Sequence, residues 1–476
     1  MIASIAWKNV WRNKSRSLVV VFAITLGTIA GVFVAGMMNG WVAQRIDSVI
    51  YTELGHLKIQ NPDYLINEES QYSLPDIDSI LAFCETTPGL ENYTTRSKIV
   101  SMATTAGGST GVVLKGIIPE QEKRVSDVYL KILPNGGDYF ETKSKLPPVV
   151  ISGKTAEQLR IKNFKITQQV LDSLTRQEVP NELLEKLKPL IDTRFDTEKK
   201  FKPAVQKVWH PNEIRKHGPA LMRTASYLKT RSKITFSFTK QDGQIGYQTF
   251  QVCGVYKTTN TMFDQMNAFV KQEDLAYATG MDMNQFHEIS IVLPENTKDA
   301  NLLKNRLAQK FGHLNVMTWK ELAPDAGMMA DFMDVYYYMI MGIIFFALAF
   351  GIINTMLMSI LERIKELGML MAIGMKKKKV FQMIMYETVF LTLTGSLIGM
   401  ALGGLLIAIT GTTGLNFSSV AEGFEAVGWA AIVYPSIETS FFIGVTFLVI
   451  IIGILASIIP AKKALKLKPV EALRIE

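Results

Sequence analysis

Residues that carry metal and redox chemistry are scarce in this sequence. The chain has 476 residues but only five histidines and two cysteines. The histidines are scattered, without an HExxH pair or ligand spacing, so solvated surface histidines are expected rather than a metal site. Cys84 and Cys253 can form at most one disulfide, and the sequence leaves open whether they pair or remain free.

Signatures of hydrolases and nucleotide-binding proteins are also missing. The sequence contains no G-x-S-x-G elbow. The tetrapeptide SGKT at 152–155 ends like a phosphate loop, but Pro148 stands where such a loop has its first glycine. We therefore predict no catalytic site, no metal and no bound cofactor, and we expect this chain not to be an enzyme.

Charge is absent from four long, mostly apolar stretches: 18–44, 335–361, 388–421 and 439–461. Each holds the roughly 20 apolar residues that a helix needs to cross a bilayer. After residue 410 the third stretch continues as GTTGLNFSS, which is typical of a loop. The first stretch is longer than the apolar region of a signal peptide, about 7–15 residues, so we expect it to remain uncleaved. Four transmembrane helices are predicted.

The distribution of basic residues predicts an orientation in the membrane. The chain has a formal net charge of +8, and its basic excess is concentrated in three short pieces, 1–17, 362–379 and 462–476. Four helices place these pieces on one side, which the positive-inside rule makes cytoplasmic. Membrane topology explains the basic surplus, so we do not expect nucleic acid to be a partner.

The long segment 42–334 separates the first predicted helix from the other three. Alternating or β-branched runs predict strands at 55–60, 112–117, 147–152, 233–238, 250–256 and 289–293. Helix-favouring stretches lie between them, and polar residues 163–230 predict a helical insertion. The predicted fold class is an α-helical membrane protein with four transmembrane helices plus a large mixed α/β extracytoplasmic domain between helices 1 and 2.

The predicted organisation follows from these patterns. Its parts are a cytoplasmic amphipathic segment (1–17), the first transmembrane helix (18–41), the extracytoplasmic core domain (42–334) with its insertion (163–230), the second helix (335–361), a cytoplasmic coupling segment (362–379), the third helix (380–410), an extracytoplasmic loop (411–438), the fourth helix (439–460) and a cytoplasmic tail (461–476).

The predicted membrane helices contain few groups that line a polar pathway. We interpret Glu387 as an interfacial carboxylate that pairs with a lysine or with Arg363, in preference to a transport role. Three glycines of the third helix are spaced four residues apart and form a small-residue face: Gly395, Gly399 and Gly403. This face is consistent with packing inside the chain or with a dimer. The pattern therefore favours a role in which the helices move, rather than one in which they form a conducting channel.

Segment 362–379 joins the second and third predicted helices and combines charge with apolar residues. A helical wheel places Ile364, Leu367, Gly368, Met371 and Met375 on one face. Other apolar residues lie on the remaining faces: Met369, Leu370 and Ile373. Such a collar is unfavourable in water unless something covers it. The cover is either a groove of a partner or the helix ends and membrane of the same assembly.

Several motifs resemble one family of membrane proteins. ERIKELGMLMAIGMKKKKVFQMIMYE, residues 362–387, resembles the signature of the FtsX-like permease domain: an E-R-x-x-E-x-G pattern, an A-I-G turn and a helix with a glutamate. WKNVWRNKSRS before the first helix and IPAKKALKLKPVEALR at 459–474 are similar to its N- and C-terminal motifs. Residues 55–160 and 231–332 resemble the core domain of MacB-type and lipoprotein-releasing (LolC/LolE-type) permeases. The insertion 163–230 is unmatched, and the arrangement without a fused ATPase is closest to the LolC/LolE type.

The resemblance implies the permease subunit of an ABC transporter, which transmits ATP-driven motion of a separate ATPase to the extracytoplasmic domain. Lipoprotein release from the cytoplasmic (inner) membrane is the favoured process; MacB-like export of a peptide, toxin or drug, or FtsX-like regulation of a cell-wall hydrolase, are the alternatives. The residues assigned to ATPase coupling are Glu362, Arg363, Glu366, Leu367, Gly368, Leu370, Ala372, Ile373 and Gly374.

The implied partners follow from the same resemblance. They are an ABC ATPase dimer that binds the ATP, a second permease in a homodimer or heterodimer, membrane lipid, a lipoprotein or other extracytoplasmic cargo, and a periplasmic adaptor. The main domain is expected to be periplasmic and both termini cytoplasmic.

Overall fold

The chain forms two compact units in a computed structural model that describes residues 2–12, 14–141, 144–176, 179–195, 198–294 and 300–465. The first, here called the membrane unit, consists of Met1–Ile46, Asp325–Ala421 and Ala430–Glu476. The second, here called the α/β unit, consists of Asp47–Pro324 and Glu422–Trp429. Residues 466–476 of the predicted cytoplasmic tail lie outside the described residues.

Helices build most of the membrane unit and connect the strands of the α/β unit. In chain order they are α1 Ile2–Arg12, α2 Lys14–Ser48, α3 Pro62–Asn67, α4 Ile77–Thr86, α5 Pro119–Val125, α6 Gly153–Gln158, α7 Gln168–Arg176, α8 Asn181–Leu187, α9 Glu198–Gln206, α10 Pro211–Thr224, α11 Thr261–Met266, α12 Gln272–Thr279, α13 Ala300–Lys310, α14 Trp319–Leu322, α15 Pro324–Glu362, α16 Ile364–Ala372, α17 Lys377–Thr413, α18 Ala421–Ala426 and α19 Thr439–Leu465. Shorter turns of 3₁₀ or π helix lie at Val49–Leu54, Val128–Lys131, Lys188–Leu190 and Ser418–Val420.

Four helical segments in the described chain are long and apolar enough to cross a membrane: Ser17–Leu54, Val335–Glu362, Lys377–Thr413 and Thr439–Lys463. The predicted number of spans is confirmed. Two of the helices, α17 and α15, begin well before their apolar stretches, because helix propensity continues into the preceding residues. The second of these, α15, begins at Pro324, a residue type that suits the first turn of a helix.

The small-residue face of α17 packs inside the chain. A Cβ atom added to Gly399 would lie 2.6 Å from Thr28 Cβ and 2.8 Å from the Thr25 carbonyl oxygen of α2. At Gly395 and Gly403 the nearest atoms also belong to α2. The three glycines therefore allow the backbones of α2 and α17 to approach closely. The sequence alone left this packing and a dimer open, and the structure favours packing within the chain.

The α/β unit is built around a large mixed sheet. The strands of the chain are β1 Leu57–Gln60, β2 Tyr93–Thr104, β3 Ser109–Ile117, β4 Ile132–Gly137, β5 Pro148–Ser152, β6 Lys162–Lys165, β7 Arg194–Phe195, β8 Ser226–Leu228, β9 Lys233–Thr239, β10 Ile245–Tyr256, β11 Asn267–Lys271, β12 Glu288–Ile291, β13 Asn315–Thr318, β14 Leu415–Asn416 and β15 Ile432–Val433. The described part of the large sheet has the order β13-β1-β12-β2-β3-β11-β5-β10-β4, and β9 pairs with both β10 and β2.

Most pairs in this sheet are antiparallel; β5 with β10 and β3 with β11 are parallel. The six predicted strands are confirmed as β1, β3, β5, β9, β10 and β12. Apolar side chains of the strands pack against the helices that cover the sheet, for example Phe236 and Phe250 in one cluster and Leu57 and Ile80 in another. The predicted fold class is confirmed.

The insertion 163–230 differs from its prediction in one respect. Besides the helices α7–α10 it contains a second sheet of three short strands in the order β7-β6-β8. Strands of two to four residues are too short to produce an alternating pattern that the sequence would reveal. A separate apolar cluster supports the insertion, with Phe164 stacked on Phe201 at 4.9 Å between ring centroids and Trp209 fully buried.

The two cysteines are free and buried. Cys84 packs in the cluster beneath β1, whereas Cys253 belongs to a different cluster around Tyr256. Burial raises the pKa of the Cys84 thiol to about 12 and that of Cys253 to about 11. Both side chains therefore act as small apolar residues of the core.

Candidate functional site

Segment 362–379 folds as a helical elbow between two membrane helices. The second membrane helix, α15, ends at Glu362, and Arg363 leaves helical geometry with φ −103° and ψ 17°. The short helix α16 follows, and the chain then turns at Gly374, whose φ of +98° is unfavourable for residues with a side chain. Lys376 is extended, and α17 begins at the next residue.

One face of α16 is covered by the chain itself. Ile364, Leu367 and Gly368 are buried, and Leu367 packs in the same cluster as Val380 and Met383 of α17. This packing fixes the position of α16 against the base of the third membrane helix. The sequence left open whether a partner or the chain itself covers the apolar collar. Helix ends of the chain itself cover the half of the collar that is buried.

The other side of the elbow is apolar and exposed. Met369 is 51% exposed and Ile373 is 78% exposed, and Ala372 and Gly374 beside them are also exposed. We call residues 369, 372 and 373 the apolar tip. This division agrees with the helical wheel, which placed Met369 and Ile373 away from the face of Ile364, Leu367 and Gly368. Met371 and Met375 of the predicted face are only half-buried.

Charged side chains connect the elbow to the N-terminal helix. Glu366 accepts from Arg363 Nε at 3.1 Å and forms an ion pair with Arg12 at the end of α1. Burial raises the pKa of the Glu366 carboxyl, but hydrogen bonds from the two guanidinium groups outweigh it, so the pKa lies below its usual value. The carboxylate thus remains ionised at neutral pH and bridges α1 and α16.

Glu387 lies in the next helix, α17, and is 5% exposed. Arg363 Nη1 lies 3.2 Å and 3.3 Å from its two carboxylate oxygens, and Asn9 Nδ2 donates to Oε1 at 2.7 Å. Arg363 thus contacts both Glu366 and Glu387. The contact agrees with the pairing proposed for Glu387 from the sequence, with Arg363 rather than a lysine as the cation.

A small cavity adjoins this cluster of polar side chains. Its volume is about 160 Å³, and it is lined by polar groups of α1 and α17 and by the end of α15. Its lining residues are Asn9, Val10, Arg12, Ser17, Met356, Ser359, Arg363, Glu387 and Leu391.

The helix α1 is amphipathic, as its sequence predicts, and packs on α17. Ala6 and Val10 are buried in the cluster that holds Val380. Trp7 meets Phe390 edge to face at a centroid distance of 5.5 Å. Asn9 and Arg12 were not among the candidate residues, because their partners lie more than 350 positions away. The only sequence signal for them was charge and amide groups within a largely apolar N-terminal helix.

The assigned coupling residues thus fall into three main groups. Arg363 and Glu366 belong to the polar cluster with Glu387, and Leu367 and Gly368 belong to the buried face. The third group, on the exposed side of the elbow, consists of Ala372, Ile373 and Gly374. Leu370 is half-buried, and Glu362 is exposed at the end of α15. In the part of the chain that the structure describes, no group of three or more histidine, cysteine or acidic residues is arranged to hold a metal ion.

The fold and this site define a class: multi-pass membrane proteins in which a large α/β domain is inserted between the first and second spans. Residues 338–469 match the family model of the FtsX-like permease C-terminal domain. This range includes the whole elbow, the last two spans and all but the first three residues of the second span. This part of the chain is an FtsX-like permease domain, and the chain is homologous to ABC transporter permeases, MacB among them.

Three relatives illustrate the range of similarity. An uncharacterised ABC transporter permease of Methanocaldococcus jannaschii is 27% identical over 232 residues, 48% of this chain and 55% of the relative. The uncharacterised permease YknZ of Bacillus subtilis is 30% identical over 161 residues, 34% of this chain and 36% of YknZ. The macrolide export ATP-binding/permease protein MacB of Chlorobaculum tepidum is 37% identical over 128 residues, 26% of this chain and 17% of MacB. The matches span about half of the first relative and less of the others.

Two solved structures align with the chain at low scores. The extracellular domain of the ABC-type transporter YknZ from Gram-positive bacteria aligns with 55% of this chain and 98% of its own, at 13% identity and a TM-score of 0.27. The periplasmic region of MacB from Actinobacillus actinomycetemcomitans aligns with 59% of this chain and 94% of its own, at 10% identity and a TM-score of 0.29.

Proposed function

We propose that this protein is the permease subunit of an ABC transporter and that its elbow is the docking site of a separate ATPase. The observation that carries the proposal is the apolar tip, a structured group of exposed apolar side chains at a turn between two membrane helices. Ile373 is 78% exposed there. Such a tip is unfavourable in water, and it fits a groove on a partner protein.

The polar cluster behind the tip supports a mechanical role. A force on the tip acts on α16, whose buried face contacts α17 and whose Glu366 is joined to α1 and Arg363. Arg363 in turn binds Glu387 of α17. A displacement of the elbow therefore acts on three helices together. We propose that these contacts transmit ATP-driven motion to the helices that lead into the α/β unit.

The proposed orientation places the elbow and the chain termini in the cytoplasm of a cell with the protein in its inner membrane. Lysines 376–379 stand beside the tip, and the positive-inside rule favours the cytoplasmic side for them. The α/β unit is then extracytoplasmic. A soluble ATPase can reach the elbow only on the cytoplasmic side, so orientation and docking support each other.

For the cargo we propose lipoprotein release from the cytoplasmic membrane, which rests on the resemblance of sequence motifs. MacB-like export is the second candidate, and the similarity to proteins named for macrolide export favours it. The two candidate functions require different activities of the complex. A lipoprotein-releasing complex extracts a lipid anchor from the bilayer, whereas an exporter of the MacB kind binds a periplasmic adaptor.

Affinity purification of the full chain tests the ATPase partner. We expect a soluble ABC-type ATPase to co-purify and the complex to hydrolyse ATP. Ile373→Asp places a charge on the apolar tip, where the side chain makes few contacts with its own chain, so it should reduce co-purification about tenfold or more. Leu370 is less suitable for this test because it is half-buried in the cluster behind the tip.

Val427→Asp is the matched control for this experiment. Val427 is also an exposed apolar residue, at 63%, but it lies in the loop that connects the third and fourth membrane helices, on the opposite side of the membrane from the elbow. The control variant should retain the ATPase. Equal co-purification by both variants, or no ATPase with the wild-type chain, would contradict the docking proposal.

Reconstitution separates the two candidate cargoes. The complex in proteoliposomes with a radiolabelled lipoprotein should release the lipoprotein on ATP addition if the first proposal is right. If no lipoprotein is released and the complex binds a periplasmic adaptor in an ATP-dependent manner, the result would instead support MacB-like export.

A further inference from the structure

A cavity of about 350 Å³ lies on one face of the large sheet of the α/β unit. Three lysines from neighbouring strands line it: Lys58 of β1, Lys98 of β2 and Lys115 of β3. The rest of its lining mixes apolar side chains with Glu53, Gln60, Tyr64, Glu68 and Asn267. The apolar lining residues are Leu54, Leu65, Val100, Val113, Phe263 and Leu322. The cavity thus combines a basic floor with walls that suit an apolar group.

The strand register places two of these lysines side by side. Lys98 and Lys115 are directly opposite each other in the antiparallel pair of β2 and β3. Like charges in this position destabilise a sheet. Both side chains are nevertheless largely withdrawn from water: Lys115 is 6% exposed, and the side chain of Lys98 is 15% exposed. Their juxtaposition calls for a source of negative charge.

The protein supplies part of that charge through Glu288, which is fully buried in β12. Lys58 Nζ lies 3.3 Å from its Oε2, Lys98 pairs with the same oxygen, and Arg96 Nη1 lies 3.3 Å from Oε1. Arg96 also pairs with the buried Glu122 at 2.7 Å. Among the described residues, these two buried carboxylates are thus bound to Arg96, Lys58 and Lys98.

Lys115 remains without an anionic partner. Its Nζ atom lies 4.9 Å from the ring centroid of Phe263 and 5.6 Å from that of Phe269. It makes no hydrogen bond or ion pair with any residue that the structure describes. Burial, together with the charges of Lys98 and Arg96, holds the pKa of Lys115 well below its usual value, although Glu288 acts in the opposite direction. Because burial disfavours the charged form of this amino group, an added anion strongly stabilises its protonated form.

Two further carboxylates line the cavity. Asn260 Nδ2 donates to Glu53 Oε1 at 3.0 Å, and Glu68 is exposed at the rim. Lys115 pairs with neither of them in the described structure. These two carboxylates therefore leave Lys115 unpaired among the described residues.

We propose that this cavity binds an organic oxyanion, a carboxylate or phosphate ester attached to an apolar body, with its charge against Lys115 and Lys98. The anion supplies the partner that Lys115 lacks and adds to the charge of Glu288, which Lys98 shares with Lys58 and Arg96. The apolar body contacts Phe263, Val100 and Val113. Because the lysines project from paired strands, the site is held in place before the ligand arrives. The site is independent of the elbow and of any ATPase.

Binding to the purified full-length protein in detergent tests the site. The probes are octanoate and octyl phosphate, with octanol as the uncharged analogue and inorganic phosphate as the charge without a tail. Saturable binding of octanoate or octyl phosphate, much tighter than that of octanol and of inorganic phosphate, is expected. If one charged probe binds more tightly than the other, the difference shows whether the site favours a carboxylate or a phosphate ester. No saturable binding of either charged probe, or equal binding of octanol, overturns the proposal.

Lys115→Met separates loss of binding from loss of folding. Lys115 is a buried amino group without an ionic partner, so replacing it with an apolar side chain should leave the thermal unfolding temperature unchanged or raise it in the absence of ligand. The same variant should weaken binding of the charged probes about tenfold or more and remove the shift in unfolding temperature that they cause. Lys207→Gln, at an exposed lysine of the insertion, should behave like the wild type. Undiminished probe binding by Lys115→Met contradicts the assignment.

Discussion

Gly374 forms the turn on which the direction of the elbow depends. Its φ of +98° is one that residues with a side chain rarely adopt, whereas the space around it is open, with no heavy atom of other residues within 4 Å of an added Cβ. Gly374→Ala should therefore destabilise the turn by about 1–2 kcal/mol through backbone strain alone. A lower thermal unfolding temperature of the detergent-solubilised protein, or weaker ATPase binding, would reveal this effect.

Gly351→Ala is the corresponding control. Gly351 also has open space around it, but it lies inside α15 and its φ is not in the left-handed range. Alanine there should be neutral or slightly stabilising, because alanine favours helix more than glycine does. If both variants behave alike, the strained turn is not the reason for the glycine at 374.

Asp264 introduces a pH dependence into the stability of the α/β unit. Burial raises the pKa of its carboxyl from 3.8 to about 6, although the hydroxyl and N–H of Thr258 donate to it and act in the opposite direction. The folded state therefore binds a proton more tightly than the unfolded state does. Its contribution to stability is greatest below pH 4 and is lost as the pH rises through 6, by about 3 kcal/mol.

Comparison with Asp264→Asn isolates this contribution. The amide cannot ionise, so the difference in unfolding temperature between the variant and the wild type should shift in favour of the variant between pH 4 and pH 7. The Asn side chain makes different hydrogen bonds with Thr258, so the slope with pH is decisive and the absolute difference is not. A difference that does not change with pH would show that Asp264 does not titrate in this range.

At the scale of elements, strands with alternating or β-branched residues were predictable, since their pattern reflects one face in the core. The strands of the insertion were not, because β7 has two residues and its pairing depends on distant parts of the chain. For α16, helical periodicity separated the buried Leu367 and Gly368 from the exposed Met369 and Ile373. The end of the helix at Ala372 and the turn at Gly374 were not predicted in the same way, because helical periodicity cannot locate the end of a helix.

Packing between α2 and α17 gives a prediction at this scale. Gly399→Ala should disturb the contact, because its Cβ would lie within 3 Å of the backbone and side chains of α2. Gly404→Ala is matched in helix and residue type, but its Cβ would meet Phe442 at 3.5 Å, an ordinary contact. We expect a lower unfolding temperature for the first variant only. Equal unfolding temperatures would contradict the close approach of the two helices.

At the scale of the whole molecule, the number of membrane spans and the large domain between the first two were predictable from length and charge. The polar cluster at the elbow was predictable only in part. Glu387 and Arg363 were paired as a hypothesis, because a carboxylate in an apolar helix needs a cation. Asn9 and Arg12 come from the other end of the chain, and no local pattern indicates contacts across that distance.

The central claim is that the apolar tip of the elbow contacts an ATPase. A photo-crosslinking amino acid at position 373, activated in intact cells, measures that contact directly, and position 427 serves as the control site. The account predicts a crosslink from 373 to an ABC-type ATPase, identified by mass spectrometry, and none from 427. Crosslinks from 373 only to lipid or to this chain itself would contradict it.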